Sequence, residues 1–216
     1  MRENCLIQAN PLDTMIMKKI VLISLMVVLA MGLNAQTTAQ ARQILDKTAT
    51  VVGNKGGAQA RFTMSGKYGN ASGTIYIKGN KFCAHTDAAT VWYNGKTQWT
   101  YNKKAEEVNI STPTEAQQQS MNPYQFINIY KNGYDLSSKT VSGQYQVHLT
   151  AQNQQRSIKE MYVTINKSYK PTQVKMRTAK GWTVINISNF QAKKLSDKVF
   201  TFNSKDYPNA EVIDLR

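Results

Sequence analysis

The stretch Asn94-Gly95-Lys96-Thr97-Gln98-Trp99-Thr100-Tyr101-Asn102 sets the architecture of this chain. Asn-Gly beside an alternating segment is the strongest short-range cue for a β-hairpin, because both residues tolerate the positive φ of tight turns. Beyond the turn, Trp99 and Tyr101 alternate with Gln98, Thr100 and Asn102, the period of a half-buried strand. The same period extends outward on the N-terminal side. Phe62 and Met64 alternate with Arg61, Thr63 and Ser65, and Ile75 and Ile77 alternate with Thr74 and Lys78. Gly69-Asn70 and Gly79-Asn80 supply the intervening turns. On the C-terminal side, strands are predicted at Tyr134–Val141, Tyr145–Ala151, Ile158–Ile165, Thr172–Arg177 and Trp182–Ile187, with Val199–Phe202 last.

Two helical segments interrupt this pattern. Thr38 is placed to cap a helix running to about Val52, with Gly53-Asn54 ending it. Ala41, Ile44, Leu45, Thr48 and Val51 form its apolar stripe. In the middle, Thr112-Pro113-Thr114-Glu115 reads as an N-cap, a proline at the first helical position and a capping-box glutamate. That helix is predicted to reach Met121, and Asn122-Pro123 starts a second one carrying Tyr124, Phe126, Ile127 and Tyr130, ended by Gly133. Roughly ten antiparallel strands, each with one apolar face, must curl to bury that face. The inventory therefore predicts a mainly β chain with a few helices (α+β). A curved antiparallel sheet forms an unclosed β-barrel, plugged by the N-terminal helix and a mid-chain helical lid. Large aromatic and flexible side chains under a hinged insert permit a cavity there.

The chain of 216 residues carries 41% hydrophobic and 19% charged residues, a globular composition. Lys18 and Lys19 precede the apolar run Ile20–Leu33, and Leu33-Asn34-Ala35 offers a small-residue cleavage site before Gln36. That order is the pattern of a secretory signal peptide; the run is short for a retained membrane anchor. Residues 1–35 thus read as a doubtful upstream extension plus a cleaved signal, with translation starting at Met17 or Met15, and residues 36–216 as one domain. Cys5 falls in the upstream part, which leaves Cys83 without a disulfide partner. Removing Arg2, Lys18 and Lys19 against Glu3 and Asp13 leaves 24 bases and 11 acids. From Arg156 to Lys205 there are eleven bases and only two acids, Glu160 and Asp197. Such a surface favours an acidic partner or an anionic membrane face, or serves solubility alone; export argues against nucleic acid.

Catalytic patterns are sparse. The chain has no G-x-S-x-G elbow, phosphate-cradling glycine loop or H-E-x-x-H helix. Cys83, His85 and Asp87 fall on one face of a strand, as a metal or thiol site would require, but a fourth ligand is missing and an outward polar row accounts for them. Glu106 and Glu107 are adjacent and point to opposite faces, a poor arrangement for paired acid–base work. The chain therefore reads as a binding protein and not as an enzyme.

Asn94–Asn102 resembles the D-G-K-T-x-W-x-Y-N hairpin of the outer-membrane lipoprotein carrier family, the LolA-like proteins. Gly73-Thr74-Ile75-Tyr76-Ile77-Lys78 is similar to that family's G-x-L-x-V-K strand, and Asn122-Pro123-Tyr124 to the start of its lid helix. Phe200-Thr201-Phe202, Pro208 and Val212-Ile213-Asp214-Leu215-Arg216 resemble its closing strand and tail. The resemblance spans nearly all of residues 38–216. It implies a periplasmic, monomeric carrier that takes acylated lipoproteins from an inner-membrane ABC transporter to an outer-membrane acceptor, without cofactor, nucleotide or metal. Three acyl chains in water would expose on the order of 30 kcal/mol of unfavourable surface, at ~0.8 kcal/mol per methylene, so such cargo needs a shield.

The implied lipid-binding residues are Phe62, Met64, Ile75, Ile77, Phe82, Trp99 and Tyr101 on the strands, with Met121, Tyr124, Phe126, Ile127 and Tyr130 on the lid. One departure stands out. Where the family has a lid-latching arginine after the strand lysine, this chain has Lys78-Gly79-Asn80, which leaves apolar contacts from residues such as Met121 and Tyr124 to hold the lid. Two other readings remain open at this point: a lipid- or lipoprotein-sensing module of the same fold, and a small envelope hydrolase using Cys83 or His85.

Overall fold

A computed structural model describes residues 37–67, 69–115, 117–118 and 122–216. The apolar leader, its cleavage site and Met121 lie outside these residues. Helix α1 (residues 37–52) is followed by six strands: β1 (Ala58–Gly66), β2 (Gly69–Lys78), β3 (Lys81–Thr86), β4 (Ala89–Tyr93), β5 (Gln98–Asn102) and β6 (Glu107–Ser111). Helix α2 (Pro123–Asn128) runs into a 3-10 turn, Ile129–Lys131. Five more strands follow: β7 (Tyr134–Val141), β8 (Gln144–Ala151), β9 (Glu160–Ile165), β10 (Pro171–Thr178) and β11 (Gly181–Ala192). Two 3-10 turns, Asp197–Phe200 and Ser204–Asp206, lead to β12 (Glu211–Asp214).

All twelve strands form one sheet in the order β12-β6-β5-β4-β3-β2-β1-β11-β10-β9-β8-β7. Its edges, β12 and β7, do not pair, so the sheet curls without closing, as the alternation predicted. The hairpin cue at Asn94-Gly95 is realised. The Asn94 side-chain oxygen accepts from the Lys96 and Thr97 amides at 3.0 and 2.8 Å, and Gly95 sits at φ 100°. Gly73 meets a different demand. A Cβ there would lie 1.9 Å from the His85 carbonyl oxygen, so only glycine lets β2 and β3 approach.

The interior lies on the concave face. Ala41, Ile44, Leu45 and Thr48 of α1 are buried, and Val52 takes the position assigned to Val51. Together with Ile129 and Tyr130, the first three cover Tyr134, Leu136, Val147, Leu149, Met161, Val163, Val174 and Met176 of β7–β10. Polar ties fix α1 on this bed. Thr38 gives its hydroxyl proton to the Leu136 carbonyl at 2.9 Å, not to a helix cap, and Tyr130 donates to Asp46.

Three sequence expectations are corrected. Val199–Phe202 is not a strand: residues 197–200 form a 3-10 turn that buries Phe200 against the convex face. The last strand is β12, which pairs parallel to β6, so the sheet is not wholly antiparallel. The mid-chain capping box is Thr114 with Gln117, whose backbone and side-chain groups bond reciprocally at 2.8 and 3.3 Å, two residues after Thr112 and Glu115.

Candidate functional site

Register places the strand residues. Ala58 pairs with Ile77, Ile77 with Phe82, and Phe82 with Tyr93; Ala60 pairs with Ile75, Ile75 with Ala84, and Ala84 with Val91. Opposite residues of a ladder share a face. Phe62, Met64, Ile75, Ile77 and Phe82 therefore stand together on the concave side. Val91 and Tyr93 of β4 join them; their alternation was visible in the sequence, but nothing local marked their direction. Ile185 and Ile187 extend the face across β11, opposite Met64 and Phe62.

Among the described residues, this half of the interior is thinly roofed. Its buried cluster consists of Ile77, Phe82 and Tyr93 from the sheet, Val52 from α1 and Ile127 from α2. Phe82 is 4% exposed, and its ring lies 5.7 Å from that of Tyr93. Phe62, Met64, Ile75 and Ile185 are only half-buried. Phe126 and Tyr130 lean instead on the cluster beneath α1. Tyr124 has its backbone in α2, and Met121 falls outside the described residues.

Trp99 and Tyr101 do not join this group. Because Tyr93 pairs with Gln98 and Val91 with Thr100, the concave positions of β5 are Gln98, Thr100 and Asn102. Trp99 and Tyr101 lie on the convex face, in a cluster with Tyr76, Cys83 and Trp92 that the segment 195–207 covers. Tyr101 packs on Tyr207 at 4.7 Å, and Trp92 on Phe202 at 5.6 Å. Lys78 and Lys81 pin that segment by binding Asp197 at 3.1 and 3.3 Å; with Lys78 the larger influence, they hold the carboxyl below its ordinary range. The apolar seat thus ends at β4, where β5 and β6 turn polar inner positions to it.

The latch has a different form from the one expected. Asn122, 0% exposed, donates from Nδ2 to the Asn80 carbonyl at 2.9 Å. Its backbone carbonyl accepts the amides of Gln125 and Phe126 at 2.9 and 3.2 Å, which starts α2. The lid is therefore tied to the β2–β3 turn by a hydrogen bond as well as by Ile127. Sequence reasoning took Asn122 for a helix start only.

Cys83 and His85 are chemically quiet. The thiol is fully buried, lies 3.3 Å from His85 Nε2, and is pushed up to about 12 by burial. Burial, then Lys103, lowers the imidazole, whose Nδ1 meets Thr90 Oγ1 at 3.2 Å. A neutral thiol beside a neutral ring is not an activated nucleophile. Asp87 has passed into the β3–β4 turn, and no cluster of three His, Cys, Asp or Glu groups suited to a metal occurs among the described residues. No helix among them is long and apolar enough to cross a membrane.

The family model of the outer membrane lipoprotein carrier protein LolA matches residues 31–180. Comparison with curated proteins finds no match. Among solved structures, the chain is similar to an uncharacterized conserved protein from Thermus thermophilus: 14% identity, TM-score 0.56, covering 81% of this chain and 99% of that one. A LolA superfamily protein from Nitrosomonas europaea gives 11% identity and TM-score 0.42 over 75% and 97% of the two chains. A DUF1329 family protein from Desulfovibrio piger gives 14% and 0.47 over 76% and 97%.

Proposed function

We propose that this chain, which belongs to the outer membrane lipoprotein carrier protein LolA family, is a periplasmic carrier that shields the acyl chains of lipoproteins on its concave face. On this reading it receives them from an inner-membrane ABC transporter and releases them at an outer-membrane acceptor. The observation that carries it is the concave apolar group Ile77, Phe82 and Tyr93, which, among the buried residues described, only Val52 of α1 and Ile127 of α2 cover. Burial of Ile127 contributes about 1.5–3 kcal/mol and the Asn122 bond about 1 kcal/mol. Burying an acyl methylene gains about 0.8 kcal/mol, so about three to five methylenes offset the loss of these two contacts. The bed beneath α1 has no comparable weakness, since a whole amphipathic face and the Tyr130–Asp46 bond hold it. An acyl chain would therefore displace α2 and leave the α1 bed in place.

The test is capture from an envelope fraction. The chain beginning at Gln36, exported with its own leader and isolated without detergent, is expected to carry N-terminally acylated peptides visible by mass spectrometry. It is also expected to pass them to acceptor vesicles only when an outer-membrane acceptor is present. Recovery of free phospholipid alone, with no acylated peptide, refutes the carrier reading.

A further inference from the structure

The convex face carries a patch that the concave seat does not use. Trp182, at the start of β11, is 36% exposed. Lys175 Nζ stands 4.6 Å from its ring and Arg177 Cζ 5.8 Å, both from the neighbouring strand β10. Tyr162 of β9 lies 6.1 Å from the same ring and opposite Lys175 in the ladder. Lys180 in the β10–β11 turn and Lys67 in the β1–β2 turn are exposed at the same end of the sheet, where Gly66 pairs with Thr183. The one carboxylate within this group, Glu160, is engaged by Tyr162 at 2.9 Å, Arg177 at 3.0 Å and His148 at 3.0 Å. The surrounding segment 156–205 holds eleven bases against two acids.

These groups combine two recognised requirements of a membrane interface. An amphipathic indole and a phenol sit level with lysine and arginine, as at the headgroup boundary. The excess bases give an attraction to anionic lipids that decays within a Debye length, so they act only on contact. A long β-sheet face is stiff and presents the rings and bases together. A protein partner would need an acidic groove shaped to a protruding indole, whereas a fluid bilayer needs no such shape. We propose that the Trp182 patch docks this protein onto the surface of an anionic lipid bilayer, leaving the α2 side of the molecule facing away from that contact. Such docking would hold the carrier at a membrane while its concave face loads or unloads.

The experiment is co-sedimentation of the chain beginning at Gln36 with vesicles of phosphatidylglycerol and phosphatidylcholine, beside pure phosphatidylcholine vesicles. Binding is expected to the anionic vesicles only and to fall steeply with salt. Lys175→Glu and Lys180→Glu should each weaken it by about five-fold or more, the change expected for one base at an anionic surface. Trp182→Ser should weaken it as well and should abolish a blue shift of tryptophan emission on vesicle addition, because Trp92 is already buried and Trp99 is packed in the same cluster under the segment 195–207. Lys96→Glu, an equal charge change in the β4–β5 turn, should have the smaller effect. Binding of a fluorescent acyl probe to the four variants should match the parent, which separates failure of the patch from failure of the concave site. Equal losses in Lys96→Glu and Lys175→Glu, or an unchanged Trp182→Ser, would overturn the proposal. So would binding that appears only on vesicles bearing an acidic protein.

Discussion

Removing the Asn122 latch tests whether α2 is a movable roof. In Asn122→Ala the bond to the Asn80 carbonyl is lost. The bond is part-buried and Asn122 itself is fully buried, so the cost is at least the net value of one hydrogen bond, about 1 kcal/mol. If the roofed state dominates in the empty protein, that loss shifts the lid equilibrium toward the open state by about five-fold. Acyl-probe affinity should then rise by up to the same factor, because less of the binding energy goes into opening. Global stability should fall by about the same 1 kcal/mol, a few degrees in melting temperature.

The control is Asn122→Leu, which keeps nearly the same side-chain shape but cannot donate to Asn80. Both variants should bind the probe more tightly, and amide exchange of Gln125 to Asn128 should quicken in both. Native folding is checked by exchange protection in β8 and β9, far from the latch. Unchanged probe affinity together with unchanged exchange in α2, in a folded Asn122→Ala protein, would refute a lid equilibrium governed by this bond.

The assignment of faces gives a second outcome: Phe82→Leu should weaken acyl-probe binding by about four-fold, the worth of roughly one methylene-scale contact, while Trp99→Phe on the convex side leaves it unchanged. Equal effects from the two, measured by the same titration, would put the site elsewhere. Cys83, buried and pushed up to about 12, stays a neutral thiol throughout the neutral range, so thiol reagents should label the folded chain beginning at Gln36 very slowly at pH 8 and fast in denaturant. Gly79 sits at φ 56° with open space around its missing Cβ, so Gly79→Arg should fold but lose about 1–2 kcal/mol to backbone strain, read as a lower melting temperature, without a tighter roof. A raised melting temperature in that variant would contradict this reasoning.

Period and turn chemistry made most of the sheet legible. Gly79-Asn80 and Asn94-Gly95 marked two hairpin turns, whereas Gly69-Asn70 lies inside β2, paired with Gly66 and Ser65; the strands read at β1, β2, β8 and β9 fell close to the observed ones. Alternation states that a strand has two faces; it does not state which face is inside. For β5 the larger residues, Trp99 and Tyr101, pointed to the convex side because a segment almost a hundred residues later, 195–207, supplies a second apolar cover there. The same long-range cover turned Val199–Phe202 from a strand pattern into a 3-10 turn, since Phe200 is buried by docking and not by pairing. Thr112 and Thr114 both begin a Thr-x-x-Glu/Gln spacing, so the box could not be placed to the residue from sequence.

The latch shows why a local departure from a family pattern misleads. Read on that pattern, Gly79 removes the polar hold on the lid, because the residue expected to donate is gone. Its backbone explains the glycine: the β2–β3 turn takes φ 56° there, a conformation in which an arginine would be strained. A turn built this way offers a long side-chain donor from that position only at the cost of that strain, but it presents the Asn80 carbonyl. The donor therefore has to come from the lid, and Asn122 supplies it. The direction of the bond is reversed relative to the implied arginine latch, and its strength drops from a charge-assisted bond of about 1.5–3 kcal/mol to a neutral one of about 1 kcal/mol. A weaker hold lowers the binding energy that an incoming acyl chain must commit to opening, by about one or two methylenes' worth of burial.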